Sequence, residues 1–338
     1  MDLQITWFIL LIVLFTGYTV LDGFDLGVGM LHFVAKTDRE RRVLLNSIGP
    51  VWDANEVWLI TAGGALFAAF PDVYATVFSG FYMAFMLFLL VIIGRAIAIE
   101  FRGKVDSDSW KKVWDIVFHI SSYLIVFLLG LTFGNILSGL PISSDKEFAG
   151  TFLGLFNPYS IYVAITAVLL IKLHGRLFLL NKTEGDMLNR MLNRFNFLWI
   201  LCLIIYIGLT IWTALGQSQL LFNYNHNGAL YLIPVITYVS LILIYLFVKR
   251  RKYYSAFLSS CFFIGLLIVQ AGIGIYPNLV PSNPIAENSL TIFNSSSSDA
   301  TLLTMFIIAC IGIPLVIVYK ILMYSAFRGK VKIDASSY

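Results

Sequence analysis

The chain has 338 residues, of which 59% are hydrophobic and 12% charged, with a mean hydropathy of +0.84. So little polar surface cannot coat a soluble globule, and the chain reads as an all-α integral membrane protein with residues 1–338 in a single integral membrane domain. The formal net charge of +4 follows from where the cations lie and implies no nucleic acid partner, while Cys202, Cys261 and Cys310 sit unpaired in apolar runs as small buried hydrophobes, not as a disulfide framework or metal cluster.

A helix needs about 20 apolar residues to cross the hydrocarbon, and in chain order the stretches that qualify run from Leu3 to Phe24, Val51 to Phe70, Val73 to Ile99, Val113 to Leu137, Tyr159 to Leu180, Phe197 to Leu215, Ala229 to Val248, Ala256 to Tyr276 and Thr301 to Tyr324. Their apolarity is continuous, not alternating, which selects helices over a β-barrel. The first run has no basic leader and no small-residue cleavage site after it, so it is kept as a span. All but one of the 23 Lys and Arg residues fall on one side of this pattern, from Lys36, Arg39, Arg41 and Arg42 to Lys320, Arg328, Lys330 and Lys332; only Lys146 lies on the other. Cations resist translocation, so the predicted architecture is a polytopic transmembrane bundle of nine helices with the N-terminus outside and the C-terminus cytoplasmic. The external segments, rich in Pro, Asn and Ser, read as solvated caps. Asn294-Ser295-Ser296 matches a glycosylation acceptor, a weak pattern that nothing else supports.

The first two spans carry the chemistry. Asp22 and Asp25 stand three apart, as do Asp53 and Glu56, so each pair shares a helix face. At 1.5 Å per residue, Asp22 lies about 29 Å along the helix from Leu3 and Asp53 about 26 Å from Phe70, which puts both pairs at a similar depth toward the cytoplasmic side. Carboxylates there cost at least about 2.5–3.5 kcal/mol each if turned to lipid at mid-depth, so they are protonated, paired or buried against protein. Gly23 and Gly27 provide a small-residue face for that burial. The functional reading is a proton relay; the structural one is a polar network in which the acids and Asn55 cap broken helices beside Gly and Pro50.

Arg95 reads either as the counter-ion of an intramembrane Asp or as an anchor reaching the interface. Asp115 opens the fourth span, with His119 on its face. A lone His is more often hydrogen-bonded than a ligand, and His32, His174 and His226 have no metal-ligand spacing. Trp7, Trp110, Trp114 and Tyr324 fit an interfacial aromatic belt, and Trp52 and Trp58 flank the acids as packing residues or as the border of a quinone or subunit.

The segments Asp22 to Gly29, Arg41-Arg42 with Asn46 to Pro50, Trp52 to Leu59, Thr61 to Pro71 and Phe78 to Tyr82 resemble subunit II of the cytochrome bd quinol oxidases, with Ser289-Leu290-Thr291 and the terminal Tyr338 extending the likeness to the end of the chain. The resemblance implies a heterodimer with subunit I, in the bacterial cell membrane, that oxidises quinol and reduces dioxygen to water with cytoplasmic protons. Two haems b and one haem d would sit on subunit I, which this chain would stabilise. It also implies a proton path through Asp53, with Asp25, Arg95 and Asp115 in the same polar network; the residues themselves add Asp22, Glu56 and Asn55 to the candidates, Glu56 standing where some relatives carry Gln. A low-GC Gram-positive composition hints at menaquinol as donor, and a small accessory subunit and bound membrane lipid remain open. The competing readings are a proton-coupled transporter that works alone and a purely structural subunit.

Overall fold

The computed structural model describes residues 2–331, so Lys332 and Tyr338 lie outside the described residues. The chain forms helices α1 (Leu3–Met30), α2 (Asp38–Ile48), α3 (Trp52–Ala69), α4 (Pro71–Gly80), α5 (Tyr82–Phe101), α6 (Asp108–Ser138), α7 (Pro158–Lys182), α8 (Gly185–Leu192), α9 (Phe195–Gly216), α10 (Phe222–His226), α11 (Leu232–Lys249), α12 (Tyr253–Ile275) and α13 (Asp299–Ala326). Local residues write many of the starts. Asp2 accepts from the Ile5 N–H on α1, Thr37 and Glu40 form a reciprocal capping box on α2, Asn157 with Pro158 opens α7, and Ser298 opens α13. Each satisfies backbone donors that a first turn leaves unpaired.

Eight helical stretches are long and apolar enough to cross a membrane. The expected second span, α3, is an 18-residue helix outside those eight, because Asp53, Asn55 and Glu56 make its first turns polar. The expected third span from Val73 to Ile99 is not one helix. It breaks at Phe81 into α4 and α5, where the Phe148 ring comes within 2.7 Å of the place a Cβ on Gly80 would take.

The central element is α1, which packs on α3, α6, α7, α12 and α13. Every residue from Asp22 to His32 is buried, so this half of α1 is enclosed by protein on all sides. Small residues make the enclosure possible: a Cβ on Gly27 would lie 2.5 Å from the Ile171 carbonyl oxygen and 2.6 Å from the Cα of Gly175 on α7. The α6–α7 crossing repeats the device, with Gly130 against Ala164 and Gly134 against Ser160.

The segment after α12 is not a solvated cap as expected. Strands β1 (Asn278–Val280) and β2 (Leu290–Thr291) pair antiparallel, and Val280, Leu290 and Ile292 bury themselves in an apolar cluster with Trp7, Phe70 and Phe81. Asn294 spends its side chain on this turn, donating to the Ser289 carbonyl and accepting from the Thr291 N–H. Lys146, the cation that broke the charge pattern, ties the same end together by donating to Asp72 (2.5 Å) and to the Asn294 carbonyl (2.8 Å). Trp7 leaves the expected aromatic belt for this core, where its Nε1 donates to the Leu302 carbonyl at 3.0 Å. Cys310 is exposed, in contrast to the buried Cys202.

The Gly27–Gly175 crossing generates a test. Gly27→Ala should cost about 1–3 kcal/mol through overpacking against backbone that cannot rotate away, read as a lower thermal unfolding midpoint of the detergent-solubilised protein. Gly63→Ala, where nothing lies within 4 Å of the added Cβ, should leave the isolated chain's midpoint nearly unchanged.

Candidate functional site

The enclosed half of α1 presents Asp22 and Asp25 to α3, α5 and α13, and the polar residues of those helices converge there. Arg95 of α5, itself fully buried, donates through Nη1 to Glu56 of α3 and places Nη2 3.3 Å from Asp22 Oδ1. Its guanidinium also lies 6.0 Å from the Trp52 ring centroid. Arg95 is therefore the counter-ion rather than an interfacial anchor: its planar fork reaches two carboxylates on two helices at once.

Asn55 links the other acid to the last helix. Its Nδ2 donates to Asp25 Oδ2 at 2.7 Å and to the Leu21 carbonyl at 3.3 Å, while its Oδ1 accepts from Lys320 Nζ at 2.6 Å and from the Tyr324 hydroxyl at 3.0 Å. The amide orientation is forced, since an ammonium only donates and a carboxylate only accepts. Lys320 and Tyr324 were both misplaced by sequence reasoning, the first as a cytoplasmic loop cation and the second as a belt residue. The signal that could have found them is their spacing of four within an otherwise apolar run, which puts them on one helix face.

Asp53 stands apart from its expected companions. It is exposed and has no ion-pair or hydrogen-bond partner among the described residues, whereas Glu56 turns inward. The same face of α3 exposes Val57, Ile60 and Phe67, and Gly63 and Gly64 beside them have open space where a side chain would be.

Asp115 does not join this network. It sits in a second cluster at the basic end, accepting from His32 Nε2 (2.5 Å), Arg41 Nη1 (2.8 Å) and Arg102 Nε (2.6 Å), and Arg102 also reaches Asp38 at 2.7 Å. Residues from the connection after α1, from α2, from the end of α5 and from the start of α6 are thus pinned on one carboxylate. Burial is the largest influence on Arg102 and works against its charge, yet the bonds to Asp115 and Asp38 outweigh it and hold the guanidinium above its ordinary range. Burial likewise pushes the His32 imidazole below its ordinary value, against the pull of Asp115. His119 is no partner of Asp115, since its Nδ1 faces the Gly29 carbonyl at 3.0 Å.

His174 commits both ring nitrogens, to Ser260 and to the Val20 carbonyl, and His32 and His119 each commit one. Among the described residues no group of three or more His, Cys, Asp or Glu is placed to hold a metal ion.

The chain is similar to known proteins over almost its whole length. Residues 3–327 match the family described as cytochrome bd terminal oxidase subunit II. The chain is 37% identical over 326 residues to the cytochrome bd ubiquinol oxidase subunit 2 of Bacillus subtilis (strain 168), covering 96% of each chain. It is 32% identical over 360 residues to the cytochrome bd-I ubiquinol oxidase subunit 2 of Escherichia coli (strain K12), covering 97% of this chain and 95% of that one. Its fold matches a chain of the bd oxidase structure from Geobacillus thermodenitrificans with a TM-score of 0.79 at 18% identity, over 97% of this chain and 99% of the other.

Two outcomes are expected from the geometry. Arg95→Met strands two carboxylates in the interior and should cost about 3–5 kcal/mol, seen as loss of folded protein after detergent extraction. Because the His32 proton is taken up by the unfolded chain at a pH where the folded chain refuses it, stability should be complete above pH 6.5 and fall as the pH drops below it. Unfolding midpoints measured across that range should show the slope, and His32→Gln should flatten it.

Proposed function

We propose, on the premise that this chain belongs to the subunit II family of the cytochrome bd terminal oxidases, that it supports the haem-bearing subunit I and carries part of the cytoplasmic proton supply for oxygen reduction. As a family member it is a subunit of a quinol-oxidising oxidoreductase complex in the bacterial plasma membrane, it spans that membrane several times, and its partner is subunit I. Haem and quinol take part in the complex; the two haems b and the haem d are assigned here to subunit I, in keeping with His174, whose two ring nitrogens are both engaged by this chain's own atoms. The chain is taken as one membrane domain of nine spans, α3 included, with the basic end in the cytoplasm.

The observation that carries the reading is the line of ionisable groups from Asp53 inward. Asp53 lies on an open face of α3, and a carboxylate turned to lipid at mid-depth would cost about 2.5–3.5 kcal/mol. That face, with its unfilled space at Gly63 and Gly64, suits close approach by a helix of subunit I. Behind it, Lys320 and Asn55 lead to Asp25, and Glu56 and Arg95 lead to Asp22. Reduction of dioxygen to water consumes one proton per electron, and such a line offers acceptors and donors in sequence. The exposed α3 face argues against a transporter working alone, because it leaves Asp53 without protein cover.

Asp53→Asn keeps size and polarity but cannot ionise. In the assembled complex, with haem content matched to the unaltered protein, oxygen consumption should fall by about a hundredfold, the low end of what a positioned proton-transfer group contributes. Near-normal turnover would remove Asp53 from the path.

A further inference from the structure

We infer that Lys320 is the second cation of the acid cluster and that, with Arg95, it sets the number of protons the resting cluster holds at one. The inference deepens the proton-path reading and rests on it for its functional meaning, but its charge count stands on geometry alone.

Lys320 is the one Lys or Arg between Asp299 and Ala326. Among the described residues α13 buries only Leu302 and Lys320, so a helix that otherwise shows its side chains to its surroundings turns its single cation inward. The ammonium ends 2.6 Å from Asn55 Oδ1, and Asn55 spends its amide hydrogens on Asp25 and the Leu21 carbonyl. Lys320 is thus joined to the buried Asp25 through a fixed amide as the spacer.

The carboxyls of the cluster are the fully buried Asp22 and Asp25 from α1 and the half-buried Glu56 from α3. Facing them are Arg95 from α5 and Lys320 from α13. Of the other titratable groups at the site, Tyr18 of α1, Tyr324 of α13 and Cys261 of α12 are uncharged at neutral pH by their ordinary ionisation, and Asp53 of α3, which also acts on Glu56 and Lys320, is exposed and lies outside the enclosed set. Three ionised carboxylates against two cations leave one uncompensated negative charge, and a buried unpaired ion costs several kcal/mol. One proton restores neutrality. Arg95 hydrogen-bonds Glu56 and lies in ion-pair range of Asp22 at 3.3 Å, although neither Asp22 oxygen accepts a hydrogen bond, whereas Asp25 has no cation in ion-pair range, only the Asn55 amide on one oxygen and no partner on the other. The proton therefore resides on Asp25, the carboxyl with no cation in contact. With Lys320 neutralised, the same balance is reached only by a second proton.

The test is infrared spectroscopy of the assembled complex, with haem content matched, reading carboxylic-acid C=O bands that shift in deuterated water. Lys320→Gln minus unaltered protein should gain one such band, Lys320→Arg should gain none, and Asp25→Asn should lose the band present at rest. No gain in Lys320→Gln, an equal gain in Lys320→Arg, or no loss in Asp25→Asn overturns the inference. If Lys320→Gln does not assemble, the Asp25→Asn and Lys320→Arg spectra decide it by the same criteria. Failure here differs from failure of the proton-path reading, which shows as normal oxygen consumption in Asp53→Asn whatever the infrared bands do.

Discussion

A charge inside an apolar bundle must meet its opposite within the protein, because neither water nor lipid is there to solvate it. Arg95, wholly buried, reaches Glu56 on α3 and Asp22 on α1, and that requirement draws α1, α3 and α5 to a common point. Asn55 extends the demand to α13 through Lys320 and Tyr324. The helices are thus registered against one another by ion and hydrogen-bond geometry, which is directional, and not only by apolar packing, which tolerates sliding.

Such a network needs a dry, crowded surround, and small residues supply it. Gly27 against Gly175 lets α1 and α7 touch backbone to backbone, so the acid-bearing half of α1 is sealed on the side away from α3. Toward α3 the acids of α1 are covered as well, and it is the far face of α3, with Asp53, Gly63 and Gly64, that opens outward. Burial on one side and openness on the other give the cluster a direction, which is what a proton route toward a partner subunit requires. The Asp115 cluster does different work. It gathers donors from three pieces of chain, the connection after α1, α2 and the end of α5, onto one carboxylate of α6 at the basic end.

Much of this was legible in the residues. Long apolar runs, the sorting of Lys and Arg, and the paired acids each follow local rules of periodicity and charge, and the structure places Asp22, Asp25, Asn55, Glu56 and Arg95 together. The misses share a cause. The break at Phe81 coincides with Phe148 arriving from a distant segment, and the burial of Val280 and Leu290 depends on Trp7 and Phe70, far away in the chain. The family resemblance put Asp115 in one network with Arg95, yet its partners come from the connection after α1, from α2 and from the end of α5.

The amino-acid sequence by itself determined that the chain lives in a membrane, roughly where its helices run, and that its acids could not be left facing lipid, because those follow from transfer free energies that each residue carries with it. Tertiary structure alone decided which cation answers which carboxylate. Lys320 lies 265 positions from Asn55, and no local pattern encodes a contact that exists only once α13 has packed against α1 and α3.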